Sequence, residues 1–247
     1  MHASFRVFWD AKIGSSPEEY EDAFWPEAAA TFARDGRFAV ADGATESSYS
    51  RHWAQLLVGA VGGQGYTRRE TLIRHLDELR TEWSTAHVNP SQPWYVAQKL
   101  ELGAFAALLG VRLIEDARGP RYHAIAAGDC CLVVVRDGAQ LRAWPVEQST
   151  DFGSNPILLS SVDPAAEQRA FLLHDAMPLA TGDTLFLMSD ALAAWFLREA
   201  EAGRVPWATV GAFESGDDEG FRAWVRELRE AGAMRNDDVT VALVAIE

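Results

Sequence analysis

The chain has 247 residues, 48% apolar and 23% charged, which is typical of folded globular proteins and excludes disordered, collagen-like and low-complexity classes. Its 36 acidic residues outnumber the 22 lysines and arginines, giving a formal net charge of −14. Such a surface repels phosphate backbones and anionic lipid headgroups. We therefore expect no nucleic acid partner and no membrane partner.

Cysteine usage and the N-terminus indicate the compartment. Cys130 and Cys131 are neighbours at the start of an apolar run, which favours buried thiols in a reducing compartment over a disulfide. The first residues lack a signal-peptide pattern, and no segment approaches the roughly 20 apolar residues of a spanning helix. Without repeats or long linkers, residues 1–247 are expected to form one domain, a cytoplasmic monomer.

Short apolar runs between turn signals predict strands. In chain order these runs are Phe38–Ala41, Ala104–Ile114, His123–Ala127, Leu132–Val135, Leu185–Met188 and Val239–Ile246. Asp35-Gly36 and Asp137-Gly138 are typical of hairpin turns, which favours antiparallel pairing.

Apolar residues at helical spacing predict three helices among these strands. Their apolar faces are Tyr49, Trp53, Leu56, Leu57 and Ala60; Leu72, Leu76, Leu79 and Trp83; and Phe221, Trp224, Val225 and Leu228. The glycine-rich segment 62–65 is interpreted as a helix stop. The order of elements predicts an α+β fold in which helices cover antiparallel sheet.

Acidic residues recur at the ends of the strand-like runs. They are Glu21 and Asp22 before Ala23–Trp25, Asp42 after Phe38–Ala41, Asp190 after Leu185–Ser189, and Asp237 before Val239–Val244. Each alone is explained by a turn or a helix cap. Carboxylates within ~4 Å of each other repel by roughly 4 kcal/mol per pair at an effective dielectric constant near 20, so a fold that gathers several needs cations.

The residue types indicate which cations. Carboxylate and carbonyl oxygens without histidine or cysteine favour Mg²⁺ or Mn²⁺ over zinc. Two such ions can activate a bridging water for in-line displacement at phosphorus. Motifs for a nucleophilic serine, a phosphate-binding loop or a zinc site are absent from the sequence. The pattern therefore favours metal-dependent hydrolysis of a phosphate ester.

At these positions the chain resembles the metal-dependent serine/threonine protein phosphatases of type 2C, the PPM family. The segments that carry the resemblance, in family order, are Glu21-Asp22, Asp42-Gly43, Gly128-Asp129-Cys130, Gly182-Asp183 leading to Ser189-Asp190, and Asp237-Asp238-Val239-Thr240. The resemblance implies a four-layer α-β-β-α sandwich of two antiparallel sheets flanked by helices, with two metal ions at one end.

Carried over position by position, the resemblance also implies the site residues. Asp42 would bridge both ions, Gly43 would offer its carbonyl to one, and Asp190 and Asp237 would bind the other. Asp129 would join Asp190 at a weaker third ion. Glu21 and Asp22 would hold metal-bound waters, which places Glu21 in the metal site and makes Asp22 and Asp42 the predicted catalytic residues.

Two departures from the family pattern concern substrate binding. The arginine that often clamps the phosphate is replaced by Pro17, so Lys12 and Arg51 become the candidate phosphate-binding residues. The histidine proposed as a general acid in many members is Ala44. Neither departure removes a proposed metal ligand.

The sequence therefore predicts a Mg²⁺- or Mn²⁺-dependent phosphatase that acts on phosphoserine or phosphothreonine in a protein substrate. Its reaction would reverse that of a Ser/Thr kinase. The alternative, which Pro17 favours, is a phosphatase-like binding or regulatory module with little turnover. A small-ester phosphatase or a nuclease is a third hypothesis, and the charge of −14 disfavours the nuclease.

Overall fold

The computed structural model describes residues 1–45, 49–87, 94–153, 156–162 and 172–247. The strands are β1 His2–Asp10, β2 Ala23–Trp25, β3 Ala30–Ala33, β4 Asp35–Gly43, β5 Phe105–Asp116, β6 Gly119–Ala127, β7 Cys131–Arg136, β8 Ala139–Trp144, β9 Leu159–Ser160, β10 Leu173–Pro178, β11 Thr184–Met188 and β12 Val239–Ile246. The α-helices are α1 Ser50–Val58, α2 Arg69–His87, α3 Trp94–Leu102, α4 Asp190–Glu201, α5 Pro206–Gly211 and α6 Asp218–Glu230.

The strands pair into two antiparallel sheets. Sheet A has the order β3-β1-β12-β11-β7-β8, and sheet B has the order β10-β6-β5-β4-β2, with β9 paired to β5. In sheet A, β12 pairs with β1 from Ala3 opposite Ile246 to Asp10 opposite Val239. The last strand of the sequence therefore lies beside the first and joins it to the rest of the sheet.

Both faces of each sheet are apolar, because one face packs against the other sheet and the opposite face is covered by helices. Phe38 and Val40 of sheet B meet Leu185 and Leu187 of sheet A in the layer between the sheets. The outer face of sheet B is covered by α1, α2 and a π-helical turn at Gly59–Gly63, and that of sheet A by α4 and α6. This order of layers confirms the predicted α-β-β-α sandwich, in which each buried large side chain contributes about 1.5–3 kcal/mol.

Five of the six predicted strands lie within observed ones, and the run Val239–Ile246 coincides with β12. The sixth, Ala104–Ile114, begins one residue before β5. Asp137-Gly138 is confirmed as the β7–β8 turn, with φ of 51° and 73°. The prediction of a hairpin turn at Asp35-Gly36 is wrong. These two residues begin β4, and the chain there passes from β3 in sheet A to β4 in sheet B, so the flanking strands do not pair.

The predicted helix faces pack against the sheets, with Leu56, Trp224 and Leu228 only partly buried. Tyr49 is 46% exposed and precedes α1. Both cysteines are buried free thiols. Within the described ranges, none of the helices has the length and apolar character needed to cross a bilayer.

Candidate active site

Strand register brings acidic residues from distant segments to one end of the sandwich. In sheet A, Met188 lies opposite both Cys131 and Val241. Because these strands are antiparallel, the end of β11 meets the starts of β7 and β12. Asp190, Asp129 and Asp237 lie just beyond those three strand ends.

Asp42 and Gly43 reach the same place from sheet B, as the last two residues of β4. A cavity of about 200 Å³ at this end is lined by five of the predicted site residues: Asp42, Gly43, Asp129, Asp190 and Asp237. The structure thus brings together residues that span most of the sequence. At about 30 Å³ per water, the cavity has room for a phosphoryl group with a few waters.

Burial and mutual repulsion make these carboxylates hard to ionise. Burial raises the pKa of Asp42 well above its usual range, and the charges of Asp22 and Asp190 raise it further. Burial, followed by the charge of Asp190, raises the pKa of Asp129 to about 6 and also raises the pKa of Asp237. The cluster therefore favours whatever positive charge enters it.

The two acids of the N-terminal segment do not line this cavity, and each lines a different one. Asp22 is only 2% exposed and accepts a hydrogen bond from the Thr240 hydroxyl at 2.7 Å. Glu21 lines a neighbouring cavity, where it accepts from Lys12 Nζ at 2.8 Å and from Ser50 Oγ at 2.6 Å. Thr45 lines both cavities, so Glu21 is adjacent to the acid cluster but already has partners.

The candidate phosphate-binding residues are also engaged. Lys12 Nζ donates to Glu21 and, at 3.0 Å, to Thr45 Oγ1. Arg51 donates to the backbone carbonyls of Glu18 at 2.6 Å and Pro17 at 3.2 Å. Neither side chain lines the cavity that contains Asp42.

Arg235, which the sequence patterns did not indicate, also lines the acid cavity. Its guanidinium forms ion pairs with Asp190 Oδ2 and, at 3.2 Å, with Asp237 Oδ2. The available signal was its position two residues before Asp237, in the segment that leads into β12.

Asp238 has a structural role that the sequence patterns did not indicate. Its carboxylate accepts two backbone N–H bonds, from Lys12 at 2.8 Å and from Glu21 at 2.7 Å. These bonds tie the segment that carries Glu21 and Asp22 to the start of β12. The side chain therefore positions the N-terminal acids.

The donor set fits hard divalent ions. It consists of carboxylate oxygens and the Gly43 carbonyl, and the buried atoms Asp22 Oδ1 and Asp190 Oδ1 have no hydrogen-bond partner. In the described ranges, however, no three His, Cys, Asp or Glu side chains already stand in an arrangement that could hold an ion. The residues converge, but Asp190 and Asp237 are paired with Arg235.

This architecture is the fold of the PPM-type serine/threonine phosphatases. The catalytic domain of PstP, solved with two manganese ions, has a TM-score of 0.61 at 16% identity, covering 100% of both chains. The S. agalactiae serine/threonine phosphatase has a TM-score of 0.58 at 16% identity over 98% of this chain and 100% of its own. RsbX in complex with magnesium has a TM-score of 0.55 at 16% identity over 100% and 96%.

No family model matches the chain, and no curated protein does either. At these identities the likeness to solved structures establishes the fold, and the activity must be argued from the site.

Proposed function

We propose that this chain is a Mg²⁺- or Mn²⁺-dependent phosphatase that removes phosphate from phosphoserine or phosphothreonine in a protein substrate. The observation that carries the proposal is the single cavity lined by Asp42, Asp129, Asp190 and Asp237 at one end of a PPM-type sandwich. The unpartnered buried oxygens of Asp22 and Asp190 support it, because a cation would satisfy them.

In this proposal Asp42, the Gly43 carbonyl, Asp190 and Asp237 would hold two ions. Asp129 would join Asp190 at a weaker third, and Glu21 would orient bound water. When bound, the ions supply an activated water and neutralise charge on the phosphoryl group. Asp22 is buried and its charge raises the pKa of Asp42, and in this proposal it would hold a metal-bound water.

The chain's own cations support a second candidate function. Lys12 binds Glu21, and Arg235 binds Asp190 and Asp237. A protein that kept these pairs permanently would be a phosphatase-like module that binds a phosphorylated partner with little turnover. A Ser/Thr kinase as the opposing enzyme and a monomeric state stay predictions.

The proposed function is tested by comparing metal-dependent hydrolysis by the wild type and by the variant Asp42→Asn. With Mn²⁺, the wild type should hydrolyse p-nitrophenyl phosphate and members of a phosphopeptide panel, and chelator should stop both reactions. Asp42→Asn should lower the rate by about 100-fold or more, because several kcal/mol of charge stabilisation is lost. Asp35→Asn, at the other end of β4, is the matched control and should leave the rate unchanged.

Equal metal-dependent rates for the wild type and Asp42→Asn would contradict the mechanism. If the wild type binds phosphopeptides but hydrolyses none, the binding module is the correct alternative.

A further inference from the structure

Arg235 is the one cationic side chain among the described residues that line the acid cavity. It lies in the connection between α6 and β12, and its side chain is 51% exposed. The guanidinium reaches inwards to Asp190 and Asp237, whose side chains are 14% and 34% exposed. Arg235 thus stands at the mouth of the cavity with its charge directed to the acids.

The guanidinium offsets repulsion that the acids cannot relieve by themselves. At an effective dielectric constant near 20, two carboxylates about 4 Å apart repel by roughly 4 kcal/mol, and a cation between them reverses the sign. A forked guanidinium suits this role because it can bind two carboxylates at once. Arg235 therefore acts as the internal counter-ion of the cluster.

The counter-ion and a metal ion need the same oxygens. Asp190 Oδ2 and Asp237 Oδ2 are bound by Arg235, while Asp190 Oδ1 is buried without a partner. Two cations held at one pair of carboxylate oxygens would repel each other.

We propose that Arg235 is a displaceable counter-ion: divalent ions bind only as its guanidinium leaves Asp190 and Asp237, and the released guanidinium then contacts the substrate phosphate. The inference rests on the proposed function. Its second half follows from placement, because Lys12 is held by Glu21 and Arg51 by backbone carbonyls, whereas half of Arg235 faces solvent at the cavity mouth. Guanidinium groups bind phosphate through paired N–H donors.

The first test measures metal binding without substrate. Mn²⁺ is titrated calorimetrically into the wild type, Arg235→Met, Arg235→Lys and Arg226→Met. Arg226, exposed on α6, is the control that removes one positive charge outside the cavity. Arg235→Met should bind Mn²⁺ at least about 10-fold more tightly than the wild type, because the competing cation that pairs with Asp190 and Asp237 is gone; a 10-fold change is about 1.4 kcal/mol. Arg235→Lys should retain part of the competition, and Arg226→Met should match the wild type.

The second test measures phosphopeptide hydrolysis at saturating Mn²⁺. Arg235→Met should raise KM about 10-fold and change kcat much less, since the guanidinium contacts phosphate in the complex. Unchanged or weaker Mn²⁺ binding in Arg235→Met would overturn the counter-ion role. An unchanged KM would overturn the phosphate contact.

The two proposals fail in different ways. If the wild type hydrolyses nothing but Arg235→Met still binds Mn²⁺ more tightly, the proposed function fails and the counter-ion role stands. If neither protein binds Mn²⁺, both are overturned. A melting curve in chelator for each variant shows that the compared proteins are folded.

Discussion

Gly43 ends β4 at a point where a side chain has no room. A Cβ atom there would lie 2.7 Å from the carbonyl oxygen of Glu21 and 3.0 Å from Cβ of Ser50. Contacts this close force the backbone to shift, and the Gly43 carbonyl is a proposed metal ligand. The absence of a side chain therefore lets the N-terminal acids approach the end of β4.

We expect Gly43→Ala to destabilise the protein by about 1–3 kcal/mol, as overpacking does, and to weaken Mn²⁺ binding. Gly59→Ala is the control, because a Cβ at Gly59 meets nothing within 4 Å in a helical backbone with φ −62°. That change should be neutral or stabilise by up to about 1 kcal/mol. Urea unfolding measures the change in stability, and titration with Mn²⁺ measures the change in metal binding. Equal stability and equal Mn²⁺ binding of the two variants would contradict the close approach of Glu21 and Ser50 to Gly43.

At this scale, the sequence predicts the acids better than their partners. Asp42, Asp190 and Asp237 were recognisable because each adjoins an apolar run that folds as a strand. The contacts of Asp238 could not be recognised in the sequence, because its carboxylate binds backbone N–H groups that lie 226 and 217 positions away. Which loop faces a strand end depends on tertiary packing, and a local pattern does not contain it. The metal-binding roles themselves stay predictions.

Between elements, Arg229 connects helix α6 to two segments of the site. Its side chain is 1% exposed and donates to Asp10 Oδ2 at 2.5 Å, to the Ala11 carbonyl at 3.0 Å and to the Asp237 carbonyl at 2.6 Å. The helix thereby fixes the end of β1 and the backbone of a proposed ligand at the same time.

Arg229→Met should lower the free energy of unfolding by about 2–4 kcal/mol, because the half-buried Asp10 carboxylate and two backbone carbonyls lose their partner. Arg226→Met, on the exposed side of the same helix, should change it by less than about 0.5 kcal/mol. The free energies of unfolding of both variants are measured by chemical denaturation in the presence of chelator and compared with that of the wild type. A loss in Arg229→Met no larger than in the control would show that the buried pair contributes nothing.

Among the elements, strands with apolar runs were predictable and β1 was not. Phe5 packs between the sheets and Phe8 packs under the helices of sheet A, so both faces of β1 are covered. A strand covered on both faces loses the alternation that marks a half-exposed strand. With Arg6 and Asp10 in the same segment, β1 also lacks a continuous apolar run.

For the molecule as a whole, the acid cluster sets how stability depends on pH. The folded-state pKa of Asp129 is about 6, above the ordinary value near 4, so the folded protein holds this proton more tightly than the unfolded chain. The resulting stabilisation is fully present below about pH 4 and is lost as the pH rises through about 6. The pKa values of Asp22 and Asp42 are raised in the same direction.

Asp129→Asn should therefore stabilise the metal-free protein at pH 7, by up to about 3 kcal/mol, and have little effect at pH 4. Glu82→Gln, on the exposed face of α2, is the control and should be neutral at both values. Urea unfolding in chelator at a series of pH values measures the difference. If Asp129→Asn stabilised the protein equally at pH 4 and pH 7, the stability would not depend on the ionisation of Asp129 and the prediction would be contradicted.

The sandwich was predicted through the resemblance, since alternating runs alone indicated only antiparallel sheet with helices. One domain over residues 1–247, a cytoplasmic location and a monomeric state stay predictions.

The position of β12 has a consequence for assembly. Because this strand alone joins β1 and β3 to β11, β7 and β8, sheet A consists of two separate halves until β12 inserts. During that interval the halves present open strand edges, which recruit other copies of the chain. Folding at high protein concentration should therefore lose material to aggregation, and a shortened chain without β12 should yield inclusion bodies.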